Sequence, residues 1–252
     1  MTGTLRARTD QVRLAIMLLT RLPVGRLRDP VPTLAQAGWA FPLVGLVVGA
    51  ILWAVLHSAM AAGLAALPSA LIALTATALV TGGLHHDGLA DFADGIGGGK
   101  DRDDRLRIMR DSRIGSYGAL ALIFAVFAGA SALAETAGEL RLAAAVLVAV
   151  WSRQVMLAVL VMLPPARPDG LGRGAAGRPA AFQPALAVGP VLSVILAIML
   201  GWQGLCVLIA CACVGFGIAA LARRRLGGQT GDVLGAVQLA TEVTGWLVLS
   251  AG

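Results

Sequence analysis

Long apolar stretches alternate with short polar connectors along this chain. Seven runs stand out: Gly38–Leu56, Ala61–Gly82, Ile114–Leu133, Leu142–Leu163, Ala185–Leu200, Gly204–Leu221 and Val233–Ser250. They are rich in Ala, Leu and Val and lack the strict apolar/polar alternation of a transmembrane β-barrel strand. A helix needs roughly 20 apolar residues to cross a bilayer. The pattern therefore predicts an all-α fold: a polytopic helical membrane protein with about seven transmembrane helices plus short cytoplasmic amphipathic helices. The fifth and sixth runs are joined only by Gly201, Trp202, Gln203 and Gly204, which predicts a tight helical hairpin. Gly45 and Gly49, four residues apart, fit close helix packing.

Composition narrows the class. The 252 residues are 58% hydrophobic and 13% charged, with a mean hydropathy of +0.81. An average soluble domain is about 45–50% apolar and about 25% charged. Disorder, a coiled coil and an ordinary soluble enzyme are excluded. The net charge of +6 does not point to nucleic acid, because the basic residues sit beside apolar runs, as membrane topology demands. With the N-terminus in the cytoplasm and seven spans, 18 of the 20 basic residues fall on one side and the C-terminus lies outside. The exceptions are Arg141 and Arg153. The first apolar stretch, Leu14 to Leu19, is too short to span and lacks an Ala-x-Ala site, so no signal peptide is expected. Cys206, Cys211 and Cys213 share one apolar run and imply no disulfide framework. We read residues 1–252 as a single integral membrane domain whose cytoplasmic segment 83–113 carries the chemistry.

That segment breaks the apolar pattern. Seven of the 14 acidic residues, two of the three His and six of the 20 basic residues lie between His85 and Arg113. Asp87, Asp91 and Asp94 are spaced i, i+4, i+7 and share one face of a helix. Three carboxylates on one stripe repel unless a cation lies between them, and hard oxygen ligands suit Mg²⁺. Mg²⁺ takes one or two carboxylates and completes its shell with water and phosphate oxygens. The stripe thus predicts a phosphate-bearing substrate. His85 could orient a carboxylate or move a proton; His86 receives no role. Gly95 to Gly99 reads as a hinge or linker and not as a P-loop, whose pattern would need Gly at Asp94 and Ser or Thr at Asp101.

Arg105, Arg107, Arg110 and Arg113 alternate with apolar residues, as in a short amphipathic surface helix. Asp111 and Arg113, at the membrane edge beside the stripe, are candidates for substrate contact, since Arg makes bidentate phosphate contacts. Arg153 and Glu242 lie deep in spans, where an ionisable residue is a functional candidate by default. They are expected to pair with each other or to meet the substrate. Asp232 opens the last span from the cytoplasmic side.

These residues resemble a known family, the cobalamin synthases, also called adenosylcobinamide-GDP ribazoletransferases. The resemblance runs nearly end to end. It covers Leu19 to Val24, Phe41 to Gly45, His85-x-Asp87-Gly88-Leu89-Ala90-Asp91-x-x-Asp94-Gly95, Asp111 to Gly115, Arg167 to Gly172, and Gly231 to Ala236 with Glu242. It implies a bacterial inner-membrane enzyme that joins adenosylcobinamide-GDP to α-ribazole or its 5′-phosphate. The products would be adenosylcobalamin or its phosphate, and GMP, with Mg²⁺ as the metal. Arg167 enters as a substrate contact from this resemblance. Membrane lipid is the implied surrounding, and a homo-oligomer is compatible with the sequence.

The expected mechanism holds Mg²⁺ on Asp87, Asp91 and Asp94, with Asp232 completing the site or orienting the nucleophile. One carboxylate, or His85, takes the proton of the attacking hydroxyl. Arg113 and Arg153 steady phosphate oxygens. Three alternatives stay open. A CDP-alcohol phosphotransferase would need Ala in place of Asp91 and Arg in place of Phe92. A polyprenyl transferase uses the D-x-x-x-D spacing that Asp87 and Asp91 satisfy. A cation transporter should carry its polar residues at the bilayer midplane in paired broken helices.

Overall fold

Each apolar run becomes a helix, because in lipid only a helix satisfies its own backbone polar groups within one segment. The computed structural model describes residues 2–168 and 185–251. Its helices are α1 (Thr2–Leu19), α2 (Leu34–Ala37), α3 (Phe41–Ala61), α4 (Ala66–Thr81), α5 (Leu84–Gly98), α6 (Arg102–Ile108), α7 (Ser116–Thr136), α8 (Leu142–Met162), α9 (Ala185–Leu200), α10 (Trp202–Leu226) and α11 (Gly231–Ser250). Helices α3, α4, α7, α8, α9, α10 and α11 stand at the seven expected places. Among the described residues five helices are long and apolar enough to cross a membrane, and a sixth span results if the bent pair α4–α5 counts as one. The apolar stretch Ala187–Leu200 of α9 is shorter. Large side chains such as Phe124, Phe127, Ile198 and Met199 are exposed on the outer helices. Water would not tolerate so much contiguous apolar surface; lipid does. The chain is an integral membrane protein.

Helix α8 forms the centre, buried along most of its length. Helix α3 lies against it through the two glycines singled out above. A Cβ at Gly45 would come within 2.6 Å of the Ala149 carbonyl oxygen and the Val150 Cα, and one at Gly49 within 2.8 Å of the Ala145 carbonyl oxygen. The Gly45/Gly49 pair is therefore a packing device. Cys211 is buried, and its Sγ donates to the Thr241 carbonyl at 3.1 Å.

The break between α4 and α5 turns the chain by 90°. Gly82 and Gly83 sit there at φ +65° and +69°, a left-handed conformation that glycine adopts without a Cβ penalty. Helix α5 is thereby swung out of the line of the span.

The basic segments gather at one end of the bundle. The Arg21 amide donates to the Val80 carbonyl near the end of α4 (2.7 Å). Arg102 donates to the Leu226 carbonyl at the end of α10 (2.9 Å) and to the Ala166 carbonyl (2.7 Å). Arg141, an exception to the charge rule, precedes α8 at the other end, where the Leu140 carbonyl accepts from Trp53. Arg173 and Arg178 lie outside the described residues.

Helix α1 was not anticipated as a separate element, since its charged first half hides its apolar face. Asp10 holds it to the following segment through Arg28 (2.9 Å) and pairs with Arg13 within the helix (3.2 Å). Its last turn, Leu18 and Leu19, reaches the candidate site.

The α3–α8 contact makes a prediction. Gly45→Ala forces two backbones apart and should lower stability by about 1–3 kcal/mol, read as a lower midpoint of thermal unfolding in detergent. An unchanged midpoint would contradict the packing described.

Candidate active site

Helix α5 crosses the start of α11 at two glycines. A Cβ on Gly88 would lie 3.0 Å from the Gly235 Cα and from the Asp232 carbonyl oxygen, and one on Gly235 would lie 3.1 Å from the Gly88 Cα. Nothing larger than hydrogen fits there without a shift. This contact brings Asp87 and Asp91, which flank Gly88, towards Asp232, which precedes Gly235 by one turn. Asp232 is held locally. The Thr230 hydroxyl caps α11 by accepting from the Val233 amide (3.2 Å) and donates to the Asp232 carboxylate (3.2 Å).

Arg167 arrives from the segment after α8. That segment is pinned beside the start of α11 by two backbone hydrogen bonds, Ala166 N–H to Gln229 O and Gln229 N–H to Pro164 O, each 2.8 Å. Arg167 donates to the Leu106 carbonyl at 2.9 Å and stands 3.8 Å from the Asp232 carboxylate. The remainder of its motif, Asp169 to Gly172, lies outside the described residues.

A cavity of about 260 Å³ opens at this crossing. His85, Asp87 and Asp232 form its polar edge, and Leu18, Leu19, Leu34, Phe41, Met156 and Leu160 form an apolar wall drawn from α1, α2, α3 and α8. His85 is buried, and neither ring nitrogen has a hydrogen-bond partner.

The third carboxylate of the stripe is used differently. Asp94 is buried, and its two oxygens accept from the backbone amides of Gly115 (2.7 Å) and Gly118 (2.8 Å). It caps α7, whose own N-cap residue, Gly115, has no side chain to do so. Gly115 and Gly118 leave room for it. The expectation that Asp87, Asp91 and Asp94 jointly grip an ion does not match this geometry. Among the described residues no three His, Cys, Asp or Glu side chains lie close enough to hold a metal together.

What remains is a smaller acidic set. Asp91 is half-buried, and its pKa is pushed up to about 6, by burial first and then by the charges of Asp87, Asp232 and Asp94, against the pull of Arg167. The excess negative charge on Asp87, Asp91 and Asp232 is what one cation would relieve. One or two carboxylates, with water and phosphate oxygens, is the usual complement for Mg²⁺. The donor chemistry of Asp87 and Asp232, which edge one cavity, fits that ion, with Asp91 beside them.

The other sequence candidates fall elsewhere. Arg153 and Glu242 are buried and meet at 3.4 Å between α8 and α11. Gln238 bridges the Glu242 carboxylate and the Ser152 hydroxyl. Neither charged residue lines the cavity. Asp111 and Arg113 pair at 2.8 Å and line a separate hollow on the Asp94 side, away from Asp87. The Arg113 guanidinium holds the Asp111 carboxyl at about 2. Gly95 to Gly98 are helical rather than a hinge, because Met109 and Tyr117 pack where Cβ atoms at Gly95 and Gly97 would stand. Sequence reasoning missed Thr230, Gln238 and the cavity wall. A hydroxyl two residues before Asp232 was a legible cap signal; the wall residues look like any lipid-facing Leu, Met or Phe.

The chain is similar to known proteins over nearly its whole length. The cobalamin-5-phosphate synthase family matches residues 11–250. The adenosylcobinamide-GDP ribazoletransferase of Mesorhizobium japonicum is 43% identical over 96% of this chain and 93% of its own. That of Bradyrhizobium diazoefficiens is 42% identical over 99% of this chain and 96% of its own. The Azorhizobium caulinodans protein of the same name is 43% identical over 91% and 90%. No solved structure matches the chain closely enough to compare.

The carboxylates of α5 should separate by experiment. Asp94→Ala removes two hydrogen bonds and a helix cap, and should lower stability by about 2 kcal/mol. Asp87→Ala, at an exposed position, should not lower it. Equal losses in thermal unfolding would contradict the division.

Proposed function

The chain belongs to the cobalamin-5-phosphate synthase family, and on that premise we propose that it joins adenosylcobinamide-GDP to α-ribazole or its 5′-phosphate. The products are adenosylcobalamin or its 5′-phosphate, and GMP. The observation that carries the reading of the site is the convergence of Asp87 and Asp232 on one cavity, with Arg167 beside Asp232.

The 3′-hydroxyl oxygen of ribazole attacks the phosphorus on the cobinamide side of the diphosphate. The bond from that phosphorus to the GMP oxygen breaks, its electron pair leaves with GMP, and the hydroxyl proton passes to a carboxylate. Asp91, with its pKa near 6, is suited to take part in that transfer, since a general base works best with a pKa near the working pH. Asp87 and Asp232 accept from the other ribose hydroxyls and hold the attacking one in line. Arg167 has five N–H donors and spends few of them on Leu106 and Asp232, which leaves others for phosphate oxygens. Asp87 and Asp232 are the residues that would hold Mg²⁺, which when bound neutralises charge on the diphosphate and the departing GMP. Arg153 and Glu242 hold α8 to α11 and need not touch substrate.

The carboxylate end faces the cytoplasm of a bacterial inner membrane in this reading. The gathering of Arg21, Arg102 and Arg167 at that end supports it under the positive-inside rule.

Two outcomes test the chemistry. Asp87→Asn and Asp91→Asn should abolish GMP release by purified protein given both substrates and Mg²⁺, while membrane insertion stays intact; normal turnover by the first would remove the metal claim, and by the second the proton-transfer claim. Turnover should climb with pH as Asp91 loses its proton and level off above that titration, which bound Mg²⁺ moves below the value of about 6 found without metal. In metal-free protein the sign for stability is opposite. The folded pKa lies above the unfolded value of about 3.9, so stability is full below that value and falls as pH rises through about 6. Solvent screening limits the loss to about 1 kcal/mol. Asp91→Asn should remove it, and a pH-independent unfolding midpoint in the parent protein would contradict the assignment.

A further inference from the structure

The cavity at the α5–α11 crossing has two unlike sides. Its wall of Leu19, Leu34, Phe41, Met156 and Leu160 is apolar, and its edge of His85, Asp87 and Asp232 is polar. Two substrates must meet here, and the cavity discriminates between them by size. At about 260 Å³ it falls below the roughly 300–1,000 Å³ of pockets that enclose drug-sized ligands. A corrin ring system is far larger than such a ligand. A flat, methylated bicyclic base is small enough to enter. Its rings bury apolar surface against Leu and Phe side chains, and the hydroxyls of an attached ribose donate to carboxylate oxygens.

We infer that this cavity is the subsite for the nucleophile, with the benzimidazole of α-ribazole against the apolar wall and its ribose at His85, Asp87 and Asp232. The inference rests on the reaction proposed above and says which substrate enters where. His85 marks the polar edge beside the carboxylates: it is 3% exposed, and neither of its buried ring nitrogens has a partner. The adenosylcobinamide-GDP then approaches from outside the cavity, on the Arg167 side, where the guanidinium meets its phosphates. The last turn of α1 and the start of α2, which carry Leu19 and Leu34, close the base in.

Two measurements test the placement. Leu34, half-buried at the rim, is replaced by Trp. L34W should raise KM for α-ribazole about tenfold, in line with the selectivity that small changes in apolar pockets produce. Its KM for adenosylcobinamide-GDP should stay within about twofold. The reverse pattern would overturn the inference. The second measurement needs no variant. α-Ribazole carrying an azide on its benzimidazole ring is irradiated with the parent protein in detergent, and the attachment site is mapped. Attachment at the end of α1 or within Met156 to Leu160 is expected; attachment within Arg102 to Arg110 would overturn the placement. If the parent protein releases no GMP from the two natural substrates, the proposed reaction fails. If it does and the azide maps elsewhere, only the subsite fails.

Discussion

Two helix backbones touch where Gly88 of α5 meets Gly235 of α11, and the candidate site is a consequence of that contact. Without it Asp87 and Asp91 would project from one helix and Asp232 from another with no common space between them. The contact depends in turn on the 90° turn at Gly82 and Gly83, which lays α5 across the start of α11 instead of extending α4. Asp94 fixes the far end of α5 to the start of α7 through two backbone amides. Asp87 and Asp91 thus sit on a short helix anchored on both flanks. Such rigidity matters because misplacement of reacting groups by about 1 Å can cost about a hundredfold in rate.

The charged residues divide into two groups by what surrounds them. Arg153 and Glu242 are buried together, with Gln238 and Ser152 completing the network between α8 and α11. Removing one partner of such a pair typically costs about 3–5 kcal/mol, because the other is left uncompensated. Asp87, Asp91 and Asp232 have no such balance. They face one another with Arg167 as the opposing charge at the cluster. That imbalance weakens the resting protein slightly, and in the proposed reaction it would suit a substrate that brings a cation and a diphosphate. Strain of this sort is usual where a site is preorganised for charge that arrives later.

Much of this was legible in the chain. Seven apolar runs became helices at the expected places because bilayer thickness dictates how long such a run must be. The Gly45/Gly49 pair and the Arg153–Glu242 pair were readable for a related reason: small residues and isolated charges inside a span have few other uses. The share of the stripe that each aspartate plays was not readable. Asp94 follows Asp91 by three positions, yet it serves a helix that begins more than 20 residues later, and only the tertiary turn brings Gly115 to it. The glycines after Asp94 looked like a hinge because composition cannot show that Met109 and Tyr117 fill the space beside them. Helix α1 was hidden by its charges, and the apolar wall of the cavity by its likeness to lipid-facing surface.

The most direct measurement of the central claim is turnover of Gly88→Ala in a protein whose unfolding midpoint is checked alongside. An added Cβ at 3.0 Å from α11 must push the two helices apart by a few tenths of an ångström. The account predicts about tenfold slower GMP release with the bundle still folded. Turnover equal to that of the parent protein would contradict it, because the carboxylates would then not depend on the crossing.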